Sequence, residues 1–189
     1  MNKRIYIILF FLIFASCSEF NRAEYIRKDG IETENLISSI LSNDDDDYLT
    51  LGCIREKDYH LKSILNEENN LISQYLDLNS KEELKTVTDL DEKFELTSNL
   101  VENKKILSEE ELKAFQEEKG SDFLNFQDLS KCPKGYLTIS KPIFNKIFDK
   151  AIIHIGQVCG FLCGSGEYRL YEFKGGNWKL KEVVSSWVS

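Results

Sequence analysis

The sequence predicts an α+β fold, with an N-terminal helical part packed on a C-terminal antiparallel sheet of about four strands. Three observations carry this expectation. Between Asp58 and Leu78 the apolar residues Leu61, Ile64, Leu65, Leu71, Ile72, Tyr75 and Leu76 form one stripe at helical spacing. Two Ser-x-x-Glu capping boxes follow, at Ser80 to Glu83 and Ser108 to Glu111. After Lys131 the hydrophobic period changes from helical to alternating, with turn signals between the segments.

Taken in order, the chain starts with MNKRIYIILFFLIFASC, in which Lys3 and Arg4 precede an almost unbroken apolar run from Ile5 to Phe14. That is the layout of a secretory signal peptide, and it falls short of the roughly 20 apolar residues of a membrane span. The expected division is a signal at 1–16, a tether at 17–31, and one α+β domain at 32–189, mostly helical over 32–126 and a β-meander over 131–189. The tether, Ser18 to Ile31, is polar and lacks periodicity.

Leu36, Ile37, Ile40 and Leu41 seed an amphipathic helix that stops at Ser42-Asn43 and the run Asp44 to Asp47. Four consecutive carboxylates cannot all turn toward one cation, and the alternating ligand pattern of a calcium hand is absent, so a solvated acidic loop is expected. His60 reads as a surface or capping residue. The capping boxes predict helices near 81–87 and 109–118, the second strengthened by a Leu107/Leu112 staple and ended by Gly120. Lys93 to Val101 is ambiguous between strand and loop.

The expected strands are Tyr136–Ile143, Ala151–Val158, Gly166–Lys174 and Trp178–Val188. Gly175-Gly176 suits a two-residue hairpin turn with positive φ at both positions. This turn sets Lys174 opposite Asn177, and then puts Phe173 opposite Trp178, Tyr171 opposite Leu180 and Arg169 opposite Glu182, these three pairs on one face. Glu172 then meets Lys179, Leu170 meets Lys181 and Tyr168 meets Val183 on the other.

Composition bounds the function. The net charge is −8, nearer −10 once Lys3 and Arg4 leave with the signal. An acidic chain of this kind is not expected to bind nucleic acid or anionic headgroups by charge. The cysteines are Cys17, Cys53, Cys132, Cys159 and Cys163. In an exported protein the last four are disulfide candidates with three possible pairings, and sequence alone does not choose among them. One C-x-x-x-C spacing does not make a four-cysteine zinc site, and no metal or cofactor is expected. The Cys159 to Gly166 stretch lacks the context of a phosphate loop, of G-x-S-x-G and of a C-x-x-C redox motif, and reads as a glycine-rich connection. His154 lies five residues from Cys159 along a strand, hence on the opposite face.

With Ala15 and Ser16 ahead of Cys17, the N-terminus resembles that of bacterial lipoproteins, although Phe14 stands where the family usually has an aliphatic residue. The resemblance implies acylation of Cys17 and anchorage to the lipid bilayer, and Ser18 after the cysteine implies the outer membrane. An ordinary cleaved signal and an uncleaved anchor are the alternatives. The last third also resembles the tails of uncharacterised lipoproteins, in Phe144-Asn145, Lys150 to Ile155, Cys159 to Gly166, Gly176 to Lys179 and Trp187 to Ser189. That resemblance implies a β-meander and no activity.

The expected function is a non-enzymatic envelope lipoprotein with a binding or structural role. One rival is a thiol-dependent redox protein or enzyme using Cys159 and Cys163. Another is an inhibitor or immunity-type protein that covers a basic partner.

Overall fold

A computed structural model of the chain describes residues 20–42, 47–58, 71–101, 103–119, 131–160 and 163–189. Among them are four α-helices, α1 (Arg22–Leu41), α2 (Leu71–Leu76), α3 (Lys81–Glu92) and α4 (Glu109–Lys119). The seven strands are β1 (Cys53–Arg55), β2 (Lys105–Leu107), β3 (Tyr136–Ile139), β4 (Ile143–Phe144), β5 (Lys150–Gly160), β6 (Cys163–Lys174) and β7 (Asn177–Val188).

All seven strands form one mixed sheet in the order β2-β1-β3-β5-β6-β7, with β4 also paired to β5. The α+β class is as expected, but the sheet is neither four-stranded nor purely antiparallel. β1 runs parallel to both β2 and β3. These additions come from the half read as helical. At three residues each, β1 and β2 are too short to show the alternation by which strands are recognised.

Helix α1 begins ten residues before the expected domain boundary, so the segment 22–31 is structured and not a loose tether. The Asn21 side chain caps it by accepting the Glu24 amide. Its buried stripe is Tyr25, Asp29, Thr33, Leu36, Ile37 and Ile40. Two of these six are polar in a way that breaks an apolar-only pattern, which is why 18–31 shows no periodicity.

Both capping boxes form. Ser80 Oγ accepts the Glu83 amide and Glu83 returns a bond to the Ser80 amide, as do Ser108 and Glu111. Leu107 and Leu112 are buried in one cluster, as a staple requires. Of the expected helix 58–78, the described residues show Leu71–Leu76 helical and Asp58 outside a helix. Its first turns, His60, the run 44–46 and Gly120 lie outside the described residues. Lys93 to Val101 carries turns and no strand.

The expected strand Tyr136–Ile143 breaks at Ser140-Lys141-Pro142. Ile139 opposes Ile155 while Ile143 opposes Ile152, four residues on one side against three on the other. Pro142 has no N–H to give a ladder, and the extra residue lets the chain turn Lys141 inward. Ser140 holds the break: its amide donates to the His154 carbonyl, and its hydroxyl accepts the His154 amide at 2.9 Å.

The glycine turn forms with φ of +62° and +83° at Gly175 and Gly176. The expected register holds for four pairs, Lys174 with Asn177 through Tyr171 with Leu180. It then slips twice, so that Leu170 faces Glu182, Arg169 faces Val183 and Tyr168 faces Ser185. Lys181 and Val184 are the additional residues on β7. Bulges of this kind gather on edge strands, where one ladder partner is missing. Lys181 turns to Glu172 at 2.8 Å, and Arg169 pairs with Glu167 at 2.8 Å instead of with Glu182.

Two cores result because alternate residues of a strand face opposite ways. Ile54 and Leu137 join the main core with α1, α2 and α3 residues, whereas Cys53, Leu107 and Tyr136 join Leu112 and Phe115 of α4 in a second. Helices therefore cover both faces at the β1–β3 end. The Arg55 guanidinium clamps α4 to β1 by two bonds to Glu109, at 2.7 and 2.9 Å. On the main face, Phe144 stacks on Phe148 at 5.2 Å and meets Trp178 at 5.4 Å.

The described cysteines form two disulfides, Cys53–Cys132 within the second core and Cys159–Cys163 across the β5–β6 connection. Their sequence separations are 79 and 4. Loop-closure entropy then predicts that Cys53→Ser with Cys132→Ser costs about 4 kcal/mol and Cys159→Ser with Cys163→Ser about 2 kcal/mol. Urea denaturation of the two double variants at pH 7 measures both, and the larger loss is expected for the first.

Candidate functional site

One group of buried charged and polar side chains gathers where α1 crosses the break between β3 and β4. The helix docks there through three side chains. Tyr25 Oη donates to the Phe144 carbonyl at 2.7 Å, and Trp178 Nε1 donates to Glu32 Oε2 at 3.0 Å. Between them Lys141 Nζ reaches Asp29 Oδ1 at 2.6 Å and the Pro142 carbonyl at 3.0 Å. Asp29 and Lys141 are 3% and 6% exposed, so both charges are taken out of water.

Burial dominates the titration of this pair. It pushes the Asp29 carboxyl up, with Lys141 opposing, and pushes the Lys141 ammonium down, with Asp29 opposing. Burial likewise raises the Tyr25 phenol far above its usual range, leaving it a donor at any ordinary pH.

A cleft of about 490 Å³ opens beside the pair. One wall is the exposed side of the α1 stripe, with Thr33, Glu34 and Ser38; the other is the 94–100 segment, with Phe94, Glu95 and Asn99. The Lys93 amide closes α3 on the Asp91 carbonyl and the Phe94 amide bonds the same carbonyl, which sends the chain across the mouth of the cleft. Thr33 Oγ1 is shut off from solvent and has no hydrogen-bond partner among the described residues.

A second buried constellation joins the sheet to the 53–58 segment. His154 Nδ1 lies 2.7 Å from Asp58 Oδ2, and Trp187 Nε1 lies 3.3 Å from His154 Nε2. An indole N–H can only donate, so Nε2 accepts, and the Nδ1–H tautomer that donates to Asp58 follows. An acid orienting a histidine is half of a nucleophile-activating triad. Here the other ring nitrogen is capped and the ring is wholly buried, with Tyr168 against it at 4.9 Å. No face is left for a substrate proton, and the pair joins strands. Gly166 is required beneath it, because a Cβ there would lie 2.6 Å from both His154 Nε2 and Trp187 Nε1.

Of the residues singled out in the sequence, Cys53 and Cys132 are brought together, as are Cys159 and Cys163, while Cys17 lies outside the described residues. His154 is turned to Asp58, consistent with its expected separation from Cys159. Asp29, Thr33, Asp58 and Lys141 were not anticipated. A signal existed for two of them, since Asp29 and Thr33 fall on the i, i+4 line from Tyr25 to Ile37 once polar members are admitted to the stripe. For Lys141 and Asp58 the partners are 112 and 96 residues away, beyond any local pattern.

Removing one charge from the Asp29–Lys141 pair leaves the other buried alone, so Lys141→Met is expected to cost about 3–5 kcal/mol. Lys141→Met with Asp29→Leu restores most of that loss, because two apolar side chains leave no stranded charge. Urea denaturation of the single and double variants measures the difference. A second effect is visible with pH. Burial, opposed by Lys141 and reinforced by Asp58, raises Asp91 to about 6 from its ordinary 3.8. The folded protein then holds a proton that the unfolded chain has released, so stability falls as pH rises from about 4 to about 6. With partial solvent screening allowed for, Asp91→Asn should gain about 1 kcal/mol at pH 7 and nothing at pH 3.5, read from urea melts at both.

No protein-family model matches the chain, and neither curated proteins nor solved structures gave a match.

Proposed function

We propose that the protein is a lipid-anchored cell-envelope module with a non-enzymatic binding role, held to the outer membrane by acyl chains on Cys17 and presenting the cleft beside Asp29 and Lys141 to a ligand. The observation that carries this reading is the use of cysteine. The four described cysteines are consumed in two disulfides, which fits an oxidising compartment and leaves Cys17, at the end of the signal-like segment, outside both.

The start of α1 supports the anchor. Phe20 is three residues from Cys17 and Asn21 already caps the helix, so the tether spans no more than about 11 Å. The groove at that end of the molecule is lined by Phe20, Lys28, Lys146 and Ile147, and Ile147 is 64% exposed. An apolar tip flanked by lysines that are paired to Glu24 and Glu83 is suited to the boundary of a headgroup layer by its apolar surface. More than one acyl chain is needed for stable attachment, which multiple acylation of a single cysteine provides.

The rival redox reading draws on one fact, that Cys163 is exposed at a strand end. It predicts rapid reduction of Cys159–Cys163 by a dithiol at neutral pH, with Cys53–Cys132, buried in a core, left intact. Sluggish reduction of both bridges counts against it.

The anchor is tested by Cys17→Ser. The variant is expected in the soluble fraction, whereas the parent stays with membranes and shows an intact mass that begins at Cys17 and includes diacylglyceryl and acyl groups. A variant that still sediments with membranes would exclude the lipid anchor.

A further inference from the structure

One end of the sheet collects two turns and the start of α1. The β4–β5 turn at 145–149 and the β6–β7 turn at Gly175-Gly176 lie side by side there, since Lys150 opposes Glu172 and the Phe173 amide donates to the Asp149 carbonyl at 2.8 Å. Phe20 enters at the same place. Its ring centroid is 5.3 Å from that of Tyr25, and it shares a groove with Ile147. Cys17 is three residues earlier, so it lies within about 11 Å of Phe20.

This end carries apolar surface that the helices leave uncovered. Ile147 is 64% exposed, and among the described large hydrophobic residues only Val188, next to the last residue, is more exposed. Phe173, two residues before the glycine turn, is 39% exposed. A single exposed apolar side chain is ordinary. Two on adjoining turns, one of them in the groove that Phe20 enters, form a contact surface beside the residue read as the lipid acceptor. The charges there are already matched, Lys28 with Glu24 at 3.0 Å, Lys146 with Glu83 at 3.1 Å and Lys174 with Glu172. A matched ammonium adds little attraction for anionic headgroups, so the surface suits zwitterionic ones.

We propose that this end of the sheet rests on a zwitterionic phospholipid surface, with Ile147 and Phe173 entering the headgroup boundary. Strands β5 to β7 then run away from the membrane. Their far end, with the Cys159–Cys163 bridge, stands about 30 Å from Lys150 along β5. The proposal rests on the lipid anchor given above and adds direction to it, because an acyl chain alone sets the distance of the domain from the bilayer and not the way the sheet points.

The test uses the full lipidated protein, purified from membranes and reconstituted into phosphatidylcholine vesicles with brominated acyl chains. Tryptophan emission is compared with that in unbrominated vesicles, and the parent, with its two native tryptophans, is subtracted. Ile147→Trp and Phe173→Trp report on the near end. Lys134→Trp reports on the far end, beside Gly135, which packs against Cys159. Bromine is expected to remove about half of the added emission at position 147, less at 173 and none at 134. The pattern should not change on raising salt, since no screened attraction contributes. No quenching at 147 or 173 in a protein that stays on the vesicles, or equal quenching at all three positions, overturns the orientation and leaves the anchor. A blue shift of the Ile147→Trp emission without bromine quenching assigns the tip to a second copy of the chain and also overturns the proposal. A protein that does not stay on the vesicles removes the anchor, and the proposal falls with it.

Discussion

The buried ion pair between Lys141 and Asp29 is the constraint on which the rest of the arrangement turns. A lysine enters the core only because β3 and β4 are interrupted by Ser140-Lys141-Pro142, where one additional residue is accommodated against β5. Once there, its charge needs a partner that no strand neighbour supplies, and Asp29 of α1 is that partner. The helix must then lie with Asp29 over the break. Tyr25 falls over β4 and Glu32 over Trp178 of β7, which are the other two docking bonds. A pair of this kind adds little net stability, since the cost of desolvation is close to the attraction recovered. What it supplies is position: any sliding of α1 by one turn would strand two charges.

Position matters because the flank of α1 next to the pair is one wall of the cleft. Asp29, Thr33 and Ile37 share a line on the helix, so the same rotation that buries Asp29 against Lys141 also hides Thr33 from bulk water. The unpartnered hydroxyl is therefore a by-product of how the helix is fixed, and it persists because Lys141 and the aromatic group of Tyr25, Phe144 and Phe148 hold the helix in place. Phe148 itself sits at a φ of +60°, a conformation that bulky residues avoid and that surrounding packing must enforce.

The parts of the fold that could be read from the sequence are those whose causes are local. Both capping boxes, the glycine turn with its first four pairs, and the three long antiparallel strands β5, β6 and β7 are specified by residues within a few positions of one another. What escaped reading is set by contacts at long range. β1 and β2 exist as strands only because each has a neighbour in the sheet. The hairpin register was legible as far as Tyr171 and Leu180, and it failed beyond because a bulge at Lys181 frees that side chain for Glu172 and leaves Arg169 to Glu167. The polar residues of α1 concealed its first ten residues, although those residues are what make the helix useful. The candidate site was nearly invisible for the same reason, since its charged pair joins residues 112 apart.

Two buried acid–base constellations among the described residues differ in what surrounds them. Asp58, His154 and Trp187 use every polar atom of the imidazole, in a place where even a Cβ at Gly166 has no room. Such closure is what a buried polar network needs in order to fix strands to one another, and it leaves no valence for a ligand. Around Lys141 the accounting is different. The ammonium and Asp29 are satisfied, and the same surface continues into an open cleft walled by Glu34 of α1 and Glu95 of the 94–100 segment.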